Sequence, residues 1–324
     1  MQDQKQKKIL SKFLKIEQIV LKIDFSNIFS KLKYFFSLRR IFKNNKDIDE
    51  LIIQYPTLFE ILFDISIKNF RKRSNGKLIF LVHDIEALRF KKDDEQYKKV
   101  EINRLSQADG LIVHSNNMKK WIQKEGVQVP ITVLNVFDYI NSSNLYERKY
   151  NKTVCYVGNL EKSKFLNKID WKNFNSQLFV FGPNKDKVNL GDSVVYKGIY
   201  TPEELPNHLN YNFGLVWDGE SIEECNGITG NYLKYNAPHK TSLYLSTGIP
   251  VIIWNKAAVA DFIVKNKVGF TINNLNEIPI ILKKITNEEY NIYQKNAINL
   301  ASKLRKGQMI KSSLNDLENI IKNN

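Results

Sequence analysis

A chain of 324 residues with 43% hydrophobic and 12% aromatic side chains can fill two hydrophobic cores of roughly 150 residues each. Its formal charge of +15 points to partners that carry phosphate, whether nucleotides, lipid headgroups or nucleic acid. The two cysteines, Cys155 and Cys225, have no metal-ligand spacing around them, which excludes a disulfide framework or structural zinc site and predicts a reducing, cytoplasmic location. No run approaches the roughly 20 apolar residues of a bilayer span, and the polar start MQDQKQKK has no signal-peptide core behind it.

The first stretch, DQKQKKILSKFLKIEQ, reads as a helix, and Gln18 to Ile23 (QIVLKI) as a strand. Ser30 to Lys43 (SKLKYFFSLRRIFK) interleaves Lys and Arg with Tyr34, Phe35, Phe36 and Phe42. Such a segment is either a surface helix with snorkelling stems or one that settles on an anionic membrane face. Strands are then predicted at Glu50 to Pro56, Lys77 to Asp84, Gly110 to Ser115 and Ile131 to Phe137. Between them lie helices such as TLFEILFDISIKNFRKR and NNMKKWIQKEG, the second opening at the cap-like Ser115-Asn116 and stopping at Gly126.

The polar, turn-rich Asp138 to Lys152 predicts a linker, dividing the chain into domains at 1–148 and 149–324. A second strand series follows: TVCYVGN, QLFVFGPN, VVYKGIY, FGLVWDG, GIPVIIWN and GFTIN. The end, Asn287 to Asn324, reads as helix. This alternation predicts parallel α/β layers, arranged as two consecutive Rossmann-like domains.

Open parallel sheets bind ligands beyond the carboxyl ends of their strands. Those ends carry His83-Asp84, Gly158-Asn159, Gly182-Pro183, Tyr200 and Asp218. The segment NAPHKTS places His239, Lys240, Thr241 and Ser242 where a helix begins, and free backbone N–H groups, an ammonium and two hydroxyls there suit a diphosphate. The competing reading is a plain helix start with an exposed lysine. Lys162 in VGNLEKSK offers a second cation, and FGP and GIY offer walls for a nucleoside.

Other phosphate chemistries are disfavoured. There is no GxxxxGK[ST] loop and no GxGxxG turn, and GITG at Gly227 to Gly230 is too short to replace either. Asp47-Ile48-Asp49 precedes its strand instead of following it, so no metal site is predicted, and Lys162 and Lys240 are left to stabilise a leaving diphosphate. In the first half His83, Asp84 and Glu86 follow a buried strand and are candidates for taking a proton from an acceptor hydroxyl. The alternative makes Asp84 a helix cap and His83 a packed neighbour.

Together, HDIEALR, ADGLIVHSNNMKKWI, VGNLEKSKFL, GLVWDG and NAPHKTSLYLSTGIPVIIW resemble the bacterial glucosyltransferase-3-like and β-1,6-galactofuranosyltransferase group. The resemblance runs from about Lys5 to the C-terminus. It implies a GT-B fold, with two Rossmann-like domains facing each other across a cleft, and transfer of a hexosyl group from a UDP-sugar. It further implies that Lys162 and Lys240 contact the diphosphate and that Tyr200 lies near the uracil. Inverting, metal-independent chemistry follows, with Asp84 first and Glu86 second as base.

Galactofuranose and glucose are both expected donors, and the acceptor is a glycan on a lipid carrier or a serine-rich glycoprotein, in surface-polysaccharide or glycoprotein assembly. A homo-oligomer and peripheral contact at the inner membrane face are further expectations. Nucleic acid is not an expected partner, since no aromatic-basic recognition motif supports it. Members of the group begin with a strand and a Ser/Gly-containing loop, whereas this sequence begins in the following helix. The first strand is therefore expected to be missing, which makes a non-catalytic, nucleotide-sugar-binding subunit the alternative function.

Overall fold

The computed structural model describes residues 36, 37, 39, 40, 48–57, 60–172 and 176–323. The first predicted helix, the predicted strand Gln18 to Ile23 and Asp47 lie outside these residues, as does any test of a missing first strand. Ser30 to Lys43 is described at four positions only.

In chain order the described elements begin with β1 (Glu50–Tyr55), α1 (Glu60–Arg71), β2 (Lys77–Val82), α2 (Glu86–Arg89), α3 (Glu95–Leu105), β3 (Gly110–Val113), α4 (Asn116–Lys124) and β4 (Ile131–Val133). They continue with β5 (Val154–Val157), β6 (Leu178–Phe181), β7 (Val194–Tyr196), α5 (Leu205–His208), β8 (Phe213–Val216), α6 (Gly227–Tyr232) and α7 (His239–Ser246). The last are β9 (Val251–Trp254), α8 (Ala260–Lys265), β10 (Gly269–Ile272), α9 (Glu277–Lys284), α10 (Asn287–Leu304) and α11 (Gln308–Asn323). Every strand predicted from Glu50 onward is present; most are shorter at their ends, and the predicted Ile131 to Phe137 strand stops at Val133.

The chain forms two compact units. One holds a parallel sheet in the order β1-β2-β3-β4. Five of the six residues of β2 are buried, as expected of a parallel strand covered on both faces. Helix α1 presents Phe63, Ile67 and Phe70 at helical spacing as its buried stripe. Helix α4 starts as its sequence predicts: Ser115 Oγ accepts the Met118 N–H at 3.1 Å.

The other unit holds a six-stranded parallel sheet in the order β10-β9-β8-β5-β6-β7. From β5 the chain moves outward through β6 and β7, then returns to the opposite side of β5 for β8, β9 and β10. The strand order therefore reverses between β5 and β8, where an open α/β sheet leaves a crevice at its carboxyl edge. Helix α7 packs against this point. Its Tyr244 ring lies so close to β8 that a Cβ on Gly214 would come within 2.2 Å of it, so only glycine fits there. The Tyr244 hydroxyl accepts the Val157 N–H at 2.7 Å, tying α7 to the end of β5.

The carboxyl end of α7 is held by cations, as its dipole favours. Arg305 Nε donates to the Ser246 carbonyl at 2.7 Å, and Arg148 donates to the carbonyl of Thr247 at 3.2 Å. The expected linker Asp138 to Lys152 has no regular secondary structure, yet Asp138, Tyr139, Ser143 and Arg148 are buried. Residues 134–148 pack within the unit of β5–β10, whereas 313–323 group with β1–β4. The sequence expectation placed the division at 148/149 and read the first of these segments as a connector.

Candidate functional site

The loops that leave β5 and β6 are built against each other. Gly158 N–H donates to the Phe181 carbonyl at 3.1 Å, Leu160 N–H to the Pro183 carbonyl at 3.1 Å, and Gly182 N–H to the Gly198 carbonyl at 3.0 Å. Asn159 caps the short 3-10 turn Leu160–Lys162 by accepting the Glu161 N–H at 3.1 Å, and its Oδ1 also receives Asn184 Nδ2 at 2.8 Å. Gly182 sits at φ 139°, and a Cβ there would come within 1.8 Å of the Gly158 carbonyl oxygen. Gly182 thus permits a contact between the loops that a side chain would prevent, and a Cβ on Gly158 would come within 2.8 Å of the Tyr156 hydroxyl.

Beside these loops, at the β5/β8 crevice, Lys240 reaches back from the first turn of α7. Its Nζ donates to Asp218 Oδ1 at 2.7 Å, to the Trp217 carbonyl at 3.0 Å and to the Tyr156 hydroxyl at 3.2 Å. The Tyr156 hydroxyl also pairs with Ser163 Oγ at 2.7 Å. Burial disfavours the charged Lys240, but Asp218, Tyr156 and their hydrogen bonds outweigh it and raise its pKa. Burial likewise raises the Tyr156 phenol, partly offset by the Lys240 charge. Tyr156 stays neutral and Lys240 charged.

Helix α7 begins after Pro238 without a side-chain cap, and its Thr241 N–H donates to the Pro238 carbonyl at 2.9 Å; the positive end of the helix dipole faces this start. Thr241 and Ser242 are fully buried, and Thr241 Oγ1 and Ser242 Oγ have no partner among the described residues. His239 stacks on Phe137 with centroids 5.1 Å apart, and Phe137 meets His114 edge-on at 4.7 Å. His114 Nδ1 accepts the Ala237 N–H at 2.9 Å, so a neutral ring carries its proton on Nε2. Lys162 is exposed on its turn. At the end of β7, Tyr200 is half-buried and stacks on His208 with centroids 3.7 Å apart.

A separate groove of about 900 Å³ lies at the opposite, amino ends of β5, β6 and β7, lined by Lys152, Lys172, Lys283 and Asp192 among others. It shares no residue with the loops above. Among the described residues, no three His, Cys, Asp or Glu side chains come together as metal ligands, and no helix is long and apolar enough to cross a membrane.

In the unit of β1–β4, His83 is buried and its Nε2 lies 3.1 Å from Gln54 Oε1. Asp84 forms an ion pair with Arg89 at 3.1 Å. The amino end of α2 is not capped by Asp84. Glu101 does this from α3, accepting the N–H of Glu86 at 3.1 Å, the N–H of Ala87 at 2.7 Å and the Tyr55 hydroxyl at 3.0 Å. Burial raises the Glu101 carboxyl against these three donors. Glu86 is half-buried, and burial, then the neighbouring Asp84 charge, hold its carboxyl above the usual carboxylate range.

Family models for the N-terminal and C-terminal domains of glucosyltransferase 3-like proteins match residues 6–136 and 154–317. The β-1,6-galactofuranosyltransferase WbbI of Escherichia coli K12 is 33% identical over 283 residues, covering 84% of this chain and 79% of that protein. The chain belongs to the glucosyltransferase 3-like family. Glucosyltransferase 3 of Streptococcus gordonii is 28% identical over 271 residues, covering 83% of this chain and 78% of that one.

Among solved structures, sucrose-phosphate synthase from Thermosynechococcus elongatus aligns with a TM-score of 0.57 at 15% identity, over 94% of this chain and 85% of that one. The Anabaena protein HepE, solved with UDP and glucose, aligns with a TM-score of 0.55 at 13% identity, over 91% and 84%. This glycosyltransferase therefore has the GT-B fold: parallel α/β sheets in two units.

Within this family member His83, Asp84 and Glu86 lie in the unit of β1–β4 and the other predicted residues in the unit of β5–β10, with Lys162 on its turn and His239, Thr241 and Ser242 in the first turn of α7. Gly158, Asn159, Gly182 and Pro183 form one structure, and Asp218 and Lys240 form another beside it. Tyr200 stands at the end of β7, two strands from β5. Tyr156 and Glu101 were not anticipated. Tyr156 is buried inside an apolar strand, where its hydroxyl meets Lys240 and Ser163, and Glu101 lies on α3, whose sequence EQYKKVEINRL has weak apolar periodicity; neither position carries a local signal.

Proposed function

We propose that this enzyme transfers a hexosyl group, galactofuranose or glucose, from a UDP-sugar to a glycan acceptor in surface-glycan or glycoprotein assembly, with inversion and without a metal. The observation that carries the reading is the placement of the Gly158 and Gly182 loops, the uncapped start of α7 and the Lys240–Asp218 pair at the β5/β8 reversal. Crevices of this kind receive nucleotides in open α/β sheets. The start of α7 and the exposed Lys162 ammonium suit a diphosphate, Lys240 offsets the Asp218 charge beside them, and the Tyr200–His208 stack suits a base.

The relatives named above support the hexosyl assignment, because their names include both galactofuranosyl and glucosyl transfer. On this reading Glu86 is the stronger base candidate, since Asp84 is engaged by Arg89 while Glu86 has a raised pKa. Cytoplasmic location, peripheral membrane contact, a lipid-linked or protein-linked glycan acceptor and homo-oligomer formation belong to the same proposal. Its test is calorimetric titration of UDP with and without EDTA, beside Lys240→Ala. Chelator-insensitive binding that the variant loses is expected; a folded wild type that ignores UDP would sink the donor-site assignment.

A further inference from the structure

An ammonium group has three N–H donors, and Lys240 uses all three inside the protein: on Asp218, the Trp217 carbonyl and the Tyr156 hydroxyl. The Asp218 carboxylate is less fully engaged. Among the described residues it bonds to Lys240 through Oδ1, which leaves Oδ2 with no partner. The side chain keeps 25% of its surface exposed, against 12% for Lys240. The open part of the pair is therefore an acceptor.

A bare carboxylate beside a diphosphate site would repel the diphosphate. Neutralised by Lys240, Asp218 becomes a strong hydrogen-bond acceptor without net charge, which suits a neutral donor such as a hydroxyl. The backbone behind it is fixed: a Cβ on Gly219 would come within 2.6 Å of the Asn226 carbonyl oxygen, and one on Gly230 within 2.8 Å of the Asp218 carbonyl oxygen. The loop after β8 thus holds the carboxylate at one height over the β5/β8 crevice. In a nucleoside diphosphate sugar, the hydroxyl-rich group next to the diphosphate is the sugar.

We propose that Asp218 receives a hydroxyl of the transferred sugar on Oδ2 and so selects that sugar, with Lys240 as the positioning and neutralising residue. This rests on the donor-site reading given above. Lys240 then acts on the diphosphate by cancelling the Asp218 charge.

The test titrates UDP, UDP-glucose and UDP-galactofuranose into the wild type and Asp218→Asn, with melting curves to show that both are folded. In the variant, UDP affinity is expected to stay within about threefold. Affinity for the preferred UDP-sugar is expected to fall roughly tenfold to a hundredfold, the range for a hydrogen bond to a charged group. Equal weakening of UDP and UDP-sugar would show that Asp218 only holds Lys240, and unchanged UDP-sugar binding would show that it meets no hydroxyl; either overturns the proposal. A folded wild type that fails to bind UDP removes the donor-site reading itself.

A second comparison tests the neutralising role. The UDP affinity lost in Lys240→Ala is expected to return when Asp218→Asn is added, because the offending charge is gone. If the double variant binds as weakly as the single one, Lys240 does not act through Asp218.

Discussion

Lys240 Nζ lies 2.7 Å from Asp218 Oδ1, joining the first turn of α7 to the end of β8 across the point where the strand order reverses. Both side chains are mostly buried, so each is held in place by the other's charge. Removing one partner of such a pair leaves an uncompensated charge, which costs more than the intact pair contributes. Lys240→Met is therefore expected to destabilise the protein by about 3 kcal/mol. Asp218→Asn, which keeps a carbonyl oxygen for Lys240, is expected to cost less. Urea unfolding of the two variants checks the order, and a larger loss in Asp218→Asn would contradict it.

How far the sequence reveals this site depends on the range of each interaction. The strands are legible because β-branched runs such as KLIFLV and VIIW are bounded by polar or glycine residues, and the start of α7 is legible because Pro238 precedes an apolar run. The target of Lys240 is not legible. Its partners Tyr156 and Asp218 are 84 and 22 residues away, and nothing local marks a lysine that turns inward. The segment at Asp138 misleads for the converse reason: its turn-rich composition signals a connector, whereas Arg148 and Asp138 bury their charges on distant backbone groups.

Asp138 gives the protein an unusual pH dependence. The carboxylate accepts the N–H of Met309 at 3.1 Å and of Ile310 at 2.7 Å, at the start of α11. Burial outweighs these two donors and pushes its pKa up to about 7. An unfolded aspartate titrates near 3.9, so between about pH 4 and pH 7 the folded protein holds more protons at this site than the unfolded chain. The stabilising contribution is full below about pH 4 and is lost as pH rises through 7, up to about 4 kcal/mol in all. Asp138→Asn is expected to remove this component. The wild-type minus variant difference in urea midpoint should change between pH 5 and pH 8, and a flat difference would show that Asp138 does not titrate there.

Gly182 tests the contact between the β5 and β6 loops. Alanine there would place a Cβ within 1.8 Å of the Gly158 carbonyl oxygen, at a φ of 139°, so one loop has to move. Gly182→Ala is expected to cost roughly 3 kcal/mol from overpacking and backbone strain combined, and to weaken UDP binding because Asn159 and Lys162 shift with the loop. Gly126→Ala is the control, since φ is 103° there and nothing lies within 4 Å of the added Cβ. It should lose stability through strain alone and leave UDP binding intact. Equal UDP affinity in both variants would separate the Gly158–Gly182 contact from the donor site.

The base assignment turns on two carboxylates two residues apart. Asp84 is held in an ion pair with Arg89 at 3.1 Å, which occupies one of its oxygens. Glu86 has its pKa raised by burial and by Asp84, which makes it a stronger proton acceptor. A positioned general base contributes roughly 10²- to 10⁴-fold. Glu86→Gln is therefore expected to lose transfer by that factor while UDP binding stays unchanged, and Asp84→Asn is expected to lose less. The raised pKa also has a signed consequence: the acidic limb of kcat/KM against pH should fall at a pH above the usual carboxylate range, because Glu86 must be ionised to act. Asp84→Asn should move that limb down, since it removes the like charge that helps raise Glu86. A limb that stays in place in Asp84→Asn, or full transfer by Glu86→Gln, would assign the proton transfer to another group.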